Sequence, residues 1–411
     1  MLTKGQMIVN FFLLGNLLIP STLFFLRYAS SYTLGLGFVA ITALTLILTS
    51  KKSVLVHRKF LLGLCAHLFF VIIHILISIN APSLWFDKFA YSIFLLIVVS
   101  LGAAGTAKLA VQMGAQDFHI IVKRCALLLL LIGFLGIIFG GTIGQFADWR
   151  LPLPPFSEPS HFVIAVAPFS LYLLASHERR LNYLLLASLF TILIVKKSAV
   201  MLVLIALIAL VRAPFWAGII FFTTVIFSNL LKFLPEYYQD RIAFWDGQNL
   251  TALVYLQGWQ VIGNSVLGEN ILGYGFQQLG RVNFDLAASQ LIHSLLGRES
   301  NVLDGGFVAA KIFGEFGLFA IPFVVVLLFV TIRSYFEVRN HLKKKKVLPP
   351  TILFARCVLL GYAIEFWFRG IGYFSIGGSS LLFSIAIIAL NSVTRQLHAK
   401  PNSDQAIENA R

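Results

Sequence analysis

The chain has 411 residues, 58% of them hydrophobic and only 12% charged, and its mean hydropathy is +0.87. A soluble protein carries about 25% charged and 45–50% apolar residues, so a water-soluble globule is excluded and the natural solvent is lipid. The net charge of +15 has its simplest explanation in the Lys/Arg excess of cytoplasmic loops; with no nucleic-acid-binding motif beside it, it gives no reason to expect a nucleic-acid partner.

Apolar runs long enough to cross a bilayer recur along the chain, at 8–26, 33–50, 60–79, 89–107, 125–143, 161–176, 182–195, 198–211, 214–231, 309–332, 351–368 and 374–391. They predict an all-α polytopic membrane protein of about twelve spans. The start carries only Lys4 before its first apolar run and no small-residue cleavage site, which reads as a retained span rather than a cleaved leader. Cys65, Cys125 and Cys357 sit in or beside apolar runs and form neither a disulfide framework nor a zinc pattern.

Basic residues set the orientation. With the N-terminus in the cytoplasm, Lys51, Lys52, Arg58, Lys59, Lys108, Lys123, Arg124, Arg179, Arg180, Arg212, Arg333, Arg339 and Lys343 to Lys346 all fall in inner loops, as the positive-inside bias requires. The C-terminus is then also cytoplasmic, with a polar tail over 400–411. The segment 182–211 carries Lys196 and Lys197 in its middle. As one span it would place two lysines near the bilayer centre at about 2.5–3.5 kcal/mol each. A short helical hairpin with the lysines at the outer interface is therefore expected. The domain organisation is a single membrane domain over 1–399 with two notable outer loops, 144–160 and 232–308. The second is far longer than ordinary connections and is expected to carry short helices of its own over 249–262 and 286–297.

Four features could carry chemistry. In Phe156-Ser-Glu-Pro-Ser-His161, Pro159 suits the first position of a helix. Glu158 is then either a simple acidic cap or, with His161, a general acid–base pair at the outer mouth of a span. Second, Arg150, Lys196, Lys197, Arg241, Arg281, Arg298, Lys311 and Arg369 lie on the face where cations are normally sparse. Guanidinium and ammonium groups hold phosphate, though headgroup binding or local pairing with Asp240, Asp246, Asp285 and Glu299 accounts for them equally. Third, Glu365 and Arg369 stand four residues apart in Glu-Phe-Trp-Phe-Arg-Gly, a spacing that pairs them on one helix face; Arg369 also opens a Gly-rich turn and could point at a ligand. Fourth, the long loop holds Gly273-Tyr-Gly-Phe276, His293, Asp304-Gly-Gly-Phe307 and Gly314-Glu-Phe-Gly317. Its glycines permit close backbone approach, but no strand–turn–helix context makes a nucleotide site.

These residues resemble the O-antigen and exopolysaccharide polymerases of the Wzy type. The resemblance rests on FSEPSHF (156–162), the short hairpin at 182–211, Arg241, the G-x-G at 273–275, DGGF (304–307) and GEFGLF (314–319). It covers about 144–320; a departure is the pair Lys196-Lys197 where relatives often carry an arginine. The resemblance implies a GT-C-like glycosyltransferase of a bacterial inner membrane, working on the periplasmic face without metal, nucleotide or other cofactor. Its partners would be undecaprenyl-pyrophosphate-linked oligosaccharides, membrane lipid and, in the same pathway, a chain-length regulator and a flippase. Glu158, His161, His293 and Arg241 are the expected catalytic residues. Arg150, Lys196, Lys197, Arg281, Lys311, Arg369, Trp245, Tyr274 and Asp304 are the expected substrate contacts, and Trp259 is a further ring for sugar stacking. A ligase moving finished glycan, or a lipid-linked oligosaccharide flippase, are the alternatives.

Overall fold

The structure is a computed structural model and describes residues 2–50, 58–78, 84–139, 153–176, 178–196, 198–213, 249–268, 271–280, 286–297 and 304–399. Among these residues the chain is helical, with no strand beyond an isolated bridge between Leu153 and Phe156. The helices are α1 (Lys4–Phe25), α2 (Tyr32–Leu48), α3 (Arg58–Ile77), α4 (Phe86–Gln112), α5 (Ala115–Phe139), α6 (Pro159–Ala175), α7 (Arg179–Lys196) and α8 (Ala199–Arg212). Then come α9 (Leu250–Leu267), α10 (Ala287–Leu296), α11 (Val308–Phe316), a 3₁₀ turn (Gly317–Phe319), α12 (Ala320–Leu342), α13 (Pro350–Trp367) and α14 (Ile376–Ala399).

Among the described residues, six helical stretches are long and apolar enough to span a membrane, α11 and α12 counting as one, and four shorter apolar helices accompany them. This is a helical membrane protein. The expected break at the lysine hairpin is present: α7 ends at Lys196 and α8 begins at Ala199. The candidate span 214–231, the outer loop from 144 to 152 and the tail lie outside the described residues.

Local chemistry explains the elements. Thr3 closes a reciprocal capping box with Gln6 at the start of α1, which satisfies two of the otherwise orphaned N–H groups. α6 and α13 are buried around their whole circumference, from His161 to Ala175 and over most of Pro350–Trp367, and a helix apolar all round belongs in a core. They pack closely because Gly361 of α13 faces Pro168 of α6: a Cβ there would stand 3.0 Å from the proline nitrogen. On the outside, Phe69 and Leu76 of α3 and Val325, Val326 and Phe329 of α12 are exposed. Such an apolar surface is suited to acyl chains.

Up-and-down order places the starts of α2, α4, α6 and α14 and the ends of α1, α3, α5 and α13 at one end of the bundle. At the opposite end Lys4 Nζ donates to the Thr49 carbonyl (3.1 Å) and the Tyr335 hydroxyl to the Leu210 carbonyl (3.2 Å). Lys123 and His119 of α5 there meet Glu178, at 2.5 and 3.0 Å. The segment 271–280 docks on the first end. His74 Nε2 lies 2.8 Å from the Leu272 carbonyl, and the Trp85 N–H donates to Gln278 Oε1 at 3.0 Å.

Candidate functional site

The site grows from the mouth of α6. Glu158 occupies the N-cap position in extended backbone with Pro159 just inside the helix, yet its side chain makes no capping hydrogen bond. The carboxylate is turned elsewhere: Arg369 Nη2 donates to Glu158 Oε2 at 3.0 Å and Ser160 Oγ to the same oxygen at 2.9 Å. Burial opposes ionisation of Glu158, but the Arg369 charge, then His161 and the Ser160 hydroxyl, outweigh it and hold the group at about 2. The pair is accessible from outside the protein, with the Glu158 side chain 46% and Arg369 21% exposed.

Behind the carboxylate stands a buried polar chain. His161 Nε2 is 3.9 Å from Glu158 Oε2. On its other side His161 Nδ1 lies 2.8 Å from the Tyr32 hydroxyl and 3.1 Å from Ser157 Oγ. The Tyr32 ring meets the imidazole edge-on at 5.5 Å. α2 thus fixes the imidazole's orientation, and the histidine's second nitrogen faces the carboxylate, the relation that couples a base to its orienting group.

The sequence spacing of Glu365 and Arg369 does not produce their pairing. α13 ends at Trp367, so Arg369 has left the helix and reaches across to α6 instead. Glu365 is fully buried and directed at Gly377, at the start of α14. The Arg369 loop is held by the Gly370 N–H, which donates to the Gly306 carbonyl at 3.1 Å. Gly306 is in the left-handed region at φ 83°, and a Cβ on Gly370 would stand 2.7 Å from the Val308 nitrogen. The Asp-Gly-Gly-Phe turn therefore brings Asp304 to the same end as Arg369.

There Lys311 Nζ lies 2.9 Å from Asp304 Oδ1 and 3.8 Å from Glu315 Oε1. It also stands 5.3 Å from the Tyr373 ring centroid. Lys311 is 3% exposed, so its charge is committed within the protein. The Lys311 charge and hydrogen bond, with Lys88 and Arg369, hold the Asp304 carboxyl below its ordinary pKa. Burial pushes the Tyr373 hydroxyl well above its ordinary range.

The Gly273-Tyr-Gly275 segment closes on this helix. The Tyr274 and Gly275 N–H groups donate to the Gly314 and Glu315 carbonyls at 3.0 and 2.8 Å, with Gly273 and Gly275 at φ 78° and 94°. The close approach expected of these glycines is to α11, and the Tyr274 side chain is half-buried beside it. An aromatic shelf flanks Arg369: Trp259 lies parallel to Trp367 at 6.4 Å, and Tyr255 to Phe368 at 6.5 Å.

The structure thus joins Glu158, His161, Arg369, Asp304 and Lys311 at one end. It leaves His293 apart, exposed on α10. Lys196 is buried at the end of α7, with no hydrogen-bond partner among the described residues. Arg150, Lys197, Arg241, Trp245, Arg281 and Arg298 lie outside the described residues. Tyr32, Tyr373 and Lys88 were not evident from motifs; a tyrosine or lysine flanking an apolar run resembles an ordinary interfacial anchor. Among the described residues no three His, Cys, Asp or Glu side chains gather as a metal-binding set. Comparison with family models, characterised proteins and solved structures finds no match to this chain.

Proposed function

We propose that this chain is a membrane glycosyltransferase that joins polyprenyl-pyrophosphate-linked oligosaccharide repeats into polysaccharide. The observation that carries the reading is the half-open Glu158–Arg369 pair, backed by His161 and Tyr32, at one end of an apolar bundle. A lipid-linked pyrophosphate presents its charge at that depth, and a guanidinium is the group suited to grip it. The shelf of Tyr255, Trp259, Trp367 and Phe368 offers flat apolar faces to sugar rings. Placing the basic end of the bundle, with Lys343 to Lys346, in the cytoplasm puts this site on the outer face of a bacterial inner membrane.

In the proposed reaction the acceptor sugar's hydroxyl oxygen attacks the anomeric carbon of the growing chain. The bond from that carbon to the phosphate oxygen breaks, and its electron pair leaves on the pyrophosphate. Arg369 stabilises that developing charge. At rest Arg369 makes Glu158 a poor base, since a carboxylate held at about 2 has little pull on a proton. Arrival of the pyrophosphate draws the guanidinium away and sets phosphate charge beside the carboxylate, and both changes raise the affinity of Glu158 for a proton. The carboxylate takes the hydroxyl proton, with His161 positioned behind it. Bulky donor and acceptor held in line supply much of the rate by orientation; Arg241 is proposed as a second phosphate contact.

The test is the glycan profile of cells carrying Glu158→Gln or Arg369→Ala, with protein levels in the membrane matched to the parent. Loss of long polymer, with single repeats still attached, supports a polymerase. Loss of all attachment assigns a ligase, and full-length polymer in both variants refutes the scheme.

A further inference from the structure

A cavity of about 420 Å³ opens between the α1–α2 turn, the first turns of α4, Gln277 and Phe374. Nothing in the proposed reaction uses it. Its volume falls in the range of small-molecule pockets, about 300–1,000 Å³, and its wall mixes apolar surface with many hydroxyl-bearing residues. Tyr28, Ser30, Ser31, Thr33, Tyr91 and Ser92, all hydroxyl-bearing, are among its lining residues. Gln277 adds an amide, Lys88 a single ammonium, and no carboxylate is among the described lining residues.

The wall is also built rather than incidental. Gln277 is held in the left-handed region at φ 61°, a conformation that costs a non-glycine residue of the order of 1–3 kcal/mol and persists only where the surroundings impose it. Its neighbour Gln278 pins the Trp85 backbone at 3.0 Å, and Trp85 in turn lies under Lys88, 4.9 Å from ring centroid to Nζ. The cavity wall is linked to the reacting groups through neighbouring residues. Ser31 and Thr33 flank Tyr32, whose hydroxyl touches His161, and Lys88 is within electrostatic reach of Asp304.

We infer that this cavity is a saccharide subsite, taking one pyranose residue that carries an acidic substituent. Hydroxyls and an amide can each donate and accept toward a polyhydroxylated ring. The two tyrosine rings, Tyr28 and Tyr91, both exposed, present faces to its apolar C–H side. Lys88 supplies the one charge in the wall and selects a carboxylate or phosphate substituent. An interfacial aromatic belt accounts for tyrosines at this depth, but not for buried Ser92 and Gln277 facing the same space as Lys88. The inference rests on the glycosyltransferase reading for its occupant, and it is tested by binding alone, so the two fail separately.

The experiment is saturation-transfer NMR on the full-length protein in phosphatidylcholine nanodiscs, with glucuronate, glucose and galactose as probes. Glucuronate should show transfer to its ring protons, falling about tenfold or more in Ser31→Trp, which fills the cavity from its rim. Ser31 is the N-cap of α2 but makes no side-chain capping bond, so the helix loses nothing; far-ultraviolet circular dichroism checks this. Lys88→Gln should weaken glucuronate about three- to tenfold, toward the neutral sugars, by removing a charge-assisted bond. Absence of transfer to all three sugars, or equal transfer in Ser31→Trp, overturns the inference. So does a signal abolished when phosphatidylglycerol replaces phosphatidylcholine, which would assign the cavity to a lipid headgroup.

Discussion

Replacing Lys311 with methionine tests how the Asp304 turn is held. The ammonium lies 2.9 Å from Asp304 and 3.8 Å from Glu315, and it is 3% exposed. Its two partners differ: Asp304 is 41% exposed and can turn to water, whereas Glu315 is 0% exposed. Lys311→Met therefore leaves buried Glu315 without its cation, to stay charged in an apolar site or to take up a proton, and either is costly. Removing one partner of a buried pair costs about 3–5 kcal/mol, because the other charge is left uncompensated, while replacing both by apolar groups of similar volume is often neutral. Lys311→Met should thus lose most of that amount, and Lys311→Met/Glu315→Met should recover more than half of it. The assay is equilibrium unfolding of the purified protein in mixed micelles of mild detergent and sodium dodecyl sulfate, run as a double-mutant cycle. If Lys311→Met were as stable as the parent, or the double variant as unstable as the single, the ion pair would not be what anchors α11. The Asp304 turn would then need another explanation.

Other outcomes follow from the same geometry. Glu158 is lowered from the ordinary 4.5 to about 2; its contribution is present in full above pH 4.5 and lost as pH falls toward 2. Unfolding measured over that window should show this slope. Arg369→Ala, which removes the guanidinium that lowers Glu158, should flatten it. Gly370→Ala forces a Cβ to within 2.7 Å of the Val308 nitrogen; such overpacking costs about 1–3 kcal/mol. Transfer activity should fall with it, as the Arg369 loop is pushed away from α6. Glu178→Gln at the opposite end should change stability by less than about 1 kcal/mol, since its partners Lys123 and His119 are partly solvated. It should leave the glycan profile unchanged, and a shortened polymer would place the chemistry at the wrong end.

Much of the scaffold was legible in the sequence because its signals are local. Hydropathy located most of the apolar helices that the structure describes, and the expense of lysine in hydrocarbon located the break between α7 and α8. The acid–histidine pair at the mouth of α6 was equally plain, since Pro159 marks a helix start wherever it falls. The partner of Glu158 was not. Four-residue spacing joins Glu365 to Arg369 only if the helix continues between them, and it stops at Trp367. The decision is made by tertiary packing, where Gly370 fits against the Gly306 turn. Tyr32 was hidden for a related reason: its role depends on α2 lying beside α6, a contact between residues 129 positions apart. The G-x-G segment illustrates the converse. Its glycines signalled close approach correctly, but composition alone could not distinguish a ligand from the carbonyls of α11.

The brevity of α8 sets the membrane's own shape beside this site. Its 14 residues rise about 21 Å at 1.5 Å each, against a hydrocarbon core of about 30 Å. If α8 spans the bilayer, a wall this short is matched either by local thinning, at fractions of a kilocalorie per ångström, or by the flanking Lys196 and Arg212 reaching out to the interface. Either response brings polar groups and water deeper at the turn by Lys196. On the proposed function, a lipid carrier arriving at that turn would present its headgroup below the general level of the bilayer surface.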